Sequence, residues 1–225
     1  MEPAANCPGA LTSLGSTVMT AKNEYFYTPP ACSEMLKDLS YGDTRTTRIC
    51  DYSGDDPDAT TVWLLGDSHA QQWQGVVFDI ARERGWRVTT SYLGGCPPAD
   101  VGFRGFRGEW AADLVERCRT WSKDVAERIA EEAPDLVITA MASRQQLLDD
   151  GSGRGHDQQF IDGLHRYWDT WTTSGTRVLA LADPPYNAEV READCLTLHS
   201  DDPLACARPR AEAQPPDPVA KAAEA

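Results

Sequence analysis

Thr61-Val62-Trp63-Leu64-Leu65-Gly66-Asp67-Ser68-His69-Ala70 decides how this chain is read. An apolar, partly β-branched run stops at Gly66-Asp67-Ser68-His69, and an amphipathic helix pattern begins at once. A buried strand therefore ends in a sharp turn that carries a serine hydroxyl, with the helix's free N–H groups directed at whatever the serine attacks. A helix start of this kind stabilises developing negative charge, which suits a nucleophile at Ser68. The plainer alternative makes Ser68 an N-cap for the helix that follows. Asp67 either organises the turn by accepting nearby backbone N–H groups or is a solvated acidic side chain.

Working outward, Trp73, Val76, Val77, Ile80 and Ala81 recur at helical spacing, which predicts a helix over 70–84 with Gly85 as its stop. Trp86–Leu93 reads as a second strand, closed by the turn Gly94-Gly95-Cys96-Pro97-Pro98. A helix follows with Trp110, Leu114, Cys118, Trp121, Val125 and Ile129 along one stripe. Asp135–Ala142 is a third strand, a helix around Gln158–Thr172 turns Phe160, Ile161, Leu164, Trp168 and Trp171 inward, and Arg177–Ala182 is a fourth strand. Four strand–helix alternations with near-continuous apolar strands mean an α/β fold whose parallel sheet is flanked by helices on both faces. Sites in such sheets lie at the carboxyl ends of the strands. Gly66-Asp67-Ser68, Gly94-Gly95 and Ala142-Ser143-Arg144 all fall there. Residues 1–60, rich in Pro, Asp, Thr and Asn, read as an irregular, disulfide-pinned arm, residues 61–206 as the α/β domain, and residues 207–225 as a mobile Ala/Pro-rich tail with one incipient helix from Asp217.

The bulk numbers narrow the function classes. With 225 residues, 41% apolar and 25% charged, the chain has the composition of an ordinary globular domain. A net charge of −14 opposes binding to polyanions, so nucleic acid is not an expected partner. No apolar run approaches the roughly 20 residues that span a bilayer, and the first residues carry no export signal. No Cys/His cluster has zinc-ligand spacing, and Gly94-Gly95 is too short for a phosphate-binding fingerprint, so neither a metal nor a cofactor is called for.

The seven cysteines (Cys7, Cys32, Cys50, Cys96, Cys118, Cys195 and Cys206) are spaced to close short loops. Cys96–Cys118 and Cys195–Cys206 would each staple a loop to its neighbour, with Cys32–Cys50 a third bridge and Cys7 left over. Bridges imply an oxidising, extracytoplasmic compartment, whereas seven buried thiols are the alternative.

The stretches Trp63–Trp73 (WLLGDSHAQQW), Leu93–Pro98 (LGGCPP), Cys118–Trp121 (CRTW), Asp135–Ala140 (DLVITA) and Asp183–Asn187, followed by Cys195 and Cys206, resemble the SGNH hydrolase superfamily. The resemblance is to the SGNH domain fused to family 3 membrane acyltransferases, which O-acylate bacterial cell-surface polysaccharides. It covers roughly residues 5–210. It implies an SGNH/flavodoxin-like three-layer sandwich in which Ser68 is the nucleophile of an acyl-enzyme. The N–H groups of Ser68 and Gly95 would form part of the oxyanion hole. Gly95 also suits that place because a side chain there would block a close backbone approach. A plain turn before two prolines is the other reading of Gly94-Gly95. The implied partners are an acyl donor, a glycan acceptor and a membrane acyltransferase domain in the same chain.

Two departures qualify the resemblance. The superfamily's asparagine after the third strand is missing. Ser143 and Arg144 are the substitute donors in the pocket, or else surface loop residues. The Asp-x-x-His segment that supplies the base is also missing, as is the last strand before it. Of the four histidines, His69 adjoins the nucleophile, His156 and His165 fall on or beside a helix where packing or solvated roles are expected, and His199 is the remaining candidate base. The expectation is therefore an extracytoplasmic serine O-acyltransferase or esterase domain in a truncated form with weak or no activity. The alternative is a non-catalytic glycan- or partner-binding module of the same fold.

Overall fold

The computed structural model describes residues 28–32, 34–41, 44–184, 195, 198–214 and 216–224. They fall into two compact units, one of residues 25–183 with 216–225, the other of residues 1–24 with 184–215. Cys7 and the segment around Asn187 lie outside the described residues.

The larger unit is built on a six-stranded sheet. Its strands are β1 (Glu34–Met35), β4 (Thr47–Asp51), β5 (Thr61–Gly66), β6 (Arg87–Tyr92), β8 (Leu136–Ala140) and β10 (Arg177–Ala180), in the spatial order β1-β4-β6-β5-β8-β10. The four strands expected from the sequence pair in parallel, with Val62 beside Val88 on one side and beside Leu136 on the other. Central β5 is buried on both faces, which is why it reads as an unbroken apolar run rather than as an alternation. β4 and β1 add to the β6 edge antiparallel. The stretch read as irregular thus contributes two strands to this sheet. Their signal is weak because Thr47-Arg48-Ile49-Cys50-Asp51 alternates only partly and lies on the outer side of the sheet. Two small two-stranded sheets were not read from the sequence at all. β2 (Ser40–Tyr41) pairs with β3 (Thr44–Arg45), and β7 (Phe103–Phe106) pairs with β9 (Gln146–Leu148) across a long separation.

Helices cover both faces. On one side pack α3 (Ala112–Glu132), α4 (His156–Thr173) and α6 (Pro218–Glu224), joining Trp63, Leu65 and Val137 in a core with Trp121, Ile129, Phe160, Leu164 and Trp171. Three of the buried indoles have bonded N–H groups, Trp63 to Glu132, Trp121 to Ser91 Oγ and Trp171 to the Ala126 carbonyl, while the Trp168 Nε1 has no partner among the described residues. On the other side α2 (Gln74–Arg84) lies over Val62, Leu64, Val88 and Ile138.

The helix expected over 70–84 is broken. A single turn, α1 (Ser68–Gln71), precedes α2, with Gln72 and Trp73 between them. The buried face of α2 is Gln74, Val77, Phe78 and Ala81, while Val76 and Ile80 are exposed. The break turns the second segment, which periodicity carried through from Ala70 could not register.

The tail read as mobile is also ordered where it returns to the larger unit. Val219 and Ala222 are buried against α4, and Asp217 Oδ1 accepts the Val219 N–H at 2.8 Å as an N-terminal cap with Pro218 behind it. Small apolar residues at helical spacing fill a shallow face that composition alone reads as featureless.

Cys32–Cys50 and Cys96–Cys118 are disulfide-bonded in the larger unit. In the smaller unit, Cys195–Cys206 closes a loop that ends in a 3₁₀ turn (Pro203–Cys206), followed by the short helix α5 (Arg210–Ala213).

Candidate functional site

Gly66 opens the site. Its φ is +155°, and a Cβ there would sit 1.9 Å from the Ala140 carbonyl oxygen and 2.7 Å from the Ala70 Cβ. The turn can therefore close onto β8 only through glycine. Asp67 follows, fully buried, with one carboxylate oxygen accepting the His69 N–H at 2.8 Å and the other the Ala142 N–H at 3.1 Å. It caps α1 and ties the turn to the end of β8, which makes it the organiser of the turn rather than a solvated acid. Burial pushes its carboxyl pKa up, against the opposing pull of the His69 N–H.

Ser68 is the exposed residue of this turn. Among the described residues no group hydrogen-bonds its hydroxyl. Beside it, the Leu93 N–H donates to the Gly66 carbonyl at 3.1 Å, and the Cys96 N–H closes a turn on the Leu93 carbonyl at 3.0 Å. The Gly94-Gly95 turn and the Ser68 turn thus leave neighbouring strands at the same edge. Gly95 has φ +73°, and a Cβ there would press on the Phe106 ring at 3.1 Å. Glycine is required at Gly95 for its backbone shape and for the space Phe106 fills. Because α1 is one turn long, little macrodipole stands behind Ser68. Any anion there would be held by individual N–H groups.

Behind the turn lies a charged cluster that the sequence did not reveal. His69 Nδ1 donates to Asp183 Oδ1, which fixes the proton on that nitrogen because a carboxylate only accepts. The other Asp183 oxygen faces Arg144 at 3.5 Å, and Arg144 also lies 3.5 Å from Asp217 and donates through Nε to the Pro216 carbonyl at 3.2 Å. Asp217 is saturated, since it also accepts the Ser143 hydroxyl at 2.6 Å and the Asp183 N–H at 2.7 Å. The Asp183 and Asp217 side chains are almost fully buried. Their charge is met by a guanidinium, an imidazole and backbone N–H groups, the conditions under which buried carboxylates persist.

The candidate residues therefore separate. Asp67, Ser68, His69 and Gly95 are brought to the carboxyl ends of β5 and β6. Ser143 and Arg144 are neither exposed loop residues nor open donors, because Ser143 is fully buried with its hydroxyl on Asp217 and Arg144 lies among two aspartates. Both face inward because the chain past β8 turns under α6, which a reading of isolated loops cannot foresee. His156 sits at the start of α4 against Phe160, and His165 Nε2 donates to the Ala222 carbonyl at 2.8 Å beside Trp168. Both have packing roles. His199 is exposed and lies in the smaller unit, within the Cys195–Cys206 loop.

The family model described as "SGNH domain (fused to AT3 domains)" matches residues 32–224. The chain belongs to that family. This SGNH domain also matches a solved structure titled as the periplasmic domain of a Salmonella ser. Paratyphi A lipopolysaccharide acetyltransferase, at 17% identity and a TM-score of 0.47, over 64% of this chain and 54% of that one. No curated protein sequence matches it. Among the described residues, no helix of the SGNH domain is long and apolar enough to cross a membrane.

Proposed function

We propose that this SGNH domain carries out serine-dependent acyl transfer or ester hydrolysis on a cell-envelope glycan outside the cytoplasm, as a partner of an AT3 membrane acyltransferase domain. The observation that carries this reading is the exposed Ser68 on a turn made rigid by Gly66 and Asp67, with the Gly95 turn alongside. Ser68 Oγ would attack the acyl carbonyl carbon while its proton passes to a base. The tetrahedral oxygen would be met by the Ser68 and Gly95 N–H groups. Expulsion of the leaving alcohol or thiol, which takes up that proton, then gives acyl-Ser68; an acceptor hydroxyl, or water in hydrolysis, attacks the same carbonyl carbon, the bond to Ser68 Oγ breaks, and the proton returns to Ser68. The disulfides suit an oxidising compartment.

A second reading, a glycan- or partner-binding module, draws on one observation. Among the described residues no histidine hydrogen-bonds to Ser68, and His69 commits its Nδ1 to Asp183. A serine without a base is a poor nucleophile, although an oxyanion hole alone sustains residual catalysis.

Intact-mass detection of fluorophosphonate labelling separates the two. Labelling of the parent chain that disappears in Ser68→Ala supports an activated serine. A folded parent chain that takes no label overturns the catalytic reading in favour of the binding module.

A further inference from the structure

A cavity of about 220 Å³ lies in the larger unit between the β4–β6 edge of the sheet and the α1–α2 segment. Its walls include Arg45, Arg48, Gln71, Gln74, Thr90 and Tyr92. Arg48 and Thr90 are direct cross-strand neighbours, and Tyr92 ends β6 opposite Gly66, the residue that opens the Ser68 turn. Gln71 closes α1 three residues after Ser68, and helix positions three apart have Cβ atoms roughly 5–6 Å from each other. The cavity therefore adjoins the nucleophile turn.

Two of its wall residues are basic in a chain that carries 35 acidic against 21 basic residues. Arg82, Arg87, Arg128, Arg144, Arg154 and Arg166 each pair with an aspartate, whereas others, Arg84, Arg104 and Arg117 among them, show no ion pair among the described residues. Neither Arg45 nor Arg48 has an acidic partner among the described residues. Arg48 is moreover half-buried, where an uncompensated guanidinium is costly. The Tyr92 hydroxyl, which lines the same cavity beside Thr90, is buried with no hydrogen bond of normal geometry among the described residues. Two guanidinium forks with no acidic partner among the described residues, a buried phenol and the Gln71 amide in one pocket form a donor set suited to an oxyanion carrying hydroxyl groups.

We propose that this cavity is a subsite for an anionic sugar unit, its carboxylate or phosphate held by Arg48 and Arg45 and its hydroxyl groups by Gln71 and Tyr92. The assignment of that sugar to the acceptor glycan rests on the acyl-transfer reading, but the binding itself does not. The overall negative charge repels anions at long range. At physiological salt that field is screened within ~8 Å, so the two local arginines decide.

The test titrates the full chain with glucuronate, glucose 1-phosphate and glucose, followed by NMR or calorimetry. Glucuronate or glucose 1-phosphate is expected to bind at least tenfold more tightly than glucose, and whichever binds tighter identifies the anion. Arg48→Gln and, independently, the exposed Arg45→Gln are each expected to weaken that binding at least threefold while leaving glucose unchanged. Equal binding of all three sugars overturns the proposal, as does parent-like anion binding by both variants with unaltered Tm. Fluorophosphonate labelling without anion selectivity removes the subsite alone. Anion selectivity without labelling keeps the subsite and removes the acyl-transfer reading.

Discussion

Gly66 and Asp183 carry the largest single-residue consequences. An alanine at Gly66 must push either the Ala140 carbonyl or Ala70 aside, since its Cβ would overlap both. Gly66→Ala is expected to cost about 3 kcal/mol, read as a lowered denaturation midpoint. Asp183→Ala strips a carboxylate from between His69 and Arg144. It is expected to destabilise by about 3 kcal/mol because the guanidinium loses a buried counter-charge, whereas Asp183→Asn keeps an acceptor for His69 and is expected to lose less. A urea melt showing Asp183→Ala as stable as the parent would mean that the cluster does not hold the site together. At this scale legibility divides by distance along the chain. The Ser68 turn was readable because a strand run, a glycine and a helix start are neighbours in sequence. The partners that decide what His69 and Ser143 do lie 114 and 74 residues away. Nothing local to either residue encodes the other.

At the level of elements, β5 and β8 were readable as apolar runs and β6 and β10 as short β-branched stretches between helix patterns, but the antiparallel β1 and β4 were not, because β1 is only two residues long and β4 alternates only partly. The same contrast separates α4, whose stripe of Phe160, Leu164, Trp168 and Trp171 is buried as expected, from α2, whose phase was shifted by the break after α1. One contact fixes how two strands start. Asp135, at the entry to β8, accepts the Thr61 N–H at 2.8 Å and the Thr61 hydroxyl at 3.0 Å at the entry to β5. The backbone N–H of Thr61 foremost holds the Asp135 pKa below its ordinary value. A depressed carboxylate pKa contributes stability that is present above the unfolded value near 4 and lost as pH falls through the folded value. Asp135→Asn should therefore flatten the acid side of the stability–pH curve below about pH 4. Because the residue is exposed, the loss at neutral pH should stay under about 1 kcal/mol. Parallel acid limbs for the variant and the parent would show that this contact does not register the strands.

For the whole molecule, the hydrogen bond from the Asp183 N–H to Asp217 Oδ2 at 2.7 Å has a topological meaning. The chain leaves the larger unit at Asp183 and re-enters it at Pro216, so residues 184–215 form an excursion whose neck is already closed. Closing a loop costs entropy that grows only slowly with its length, about 0.6 kcal/mol per doubling. Replacing residues 184–215 by a short Gly/Ser bridge is therefore expected to leave the Tm within a few degrees of the parent, with Cys32–Cys50 and Cys96–Cys118 still formed. Failure of that shortened chain to fold would mean that the excursion contributes to the core. If it folds, the molecule is modular at this neck. The sheet, the serine turn and the charged cluster would form one transplantable unit, and residues 184–215 a segment that can be exchanged without rebuilding that unit.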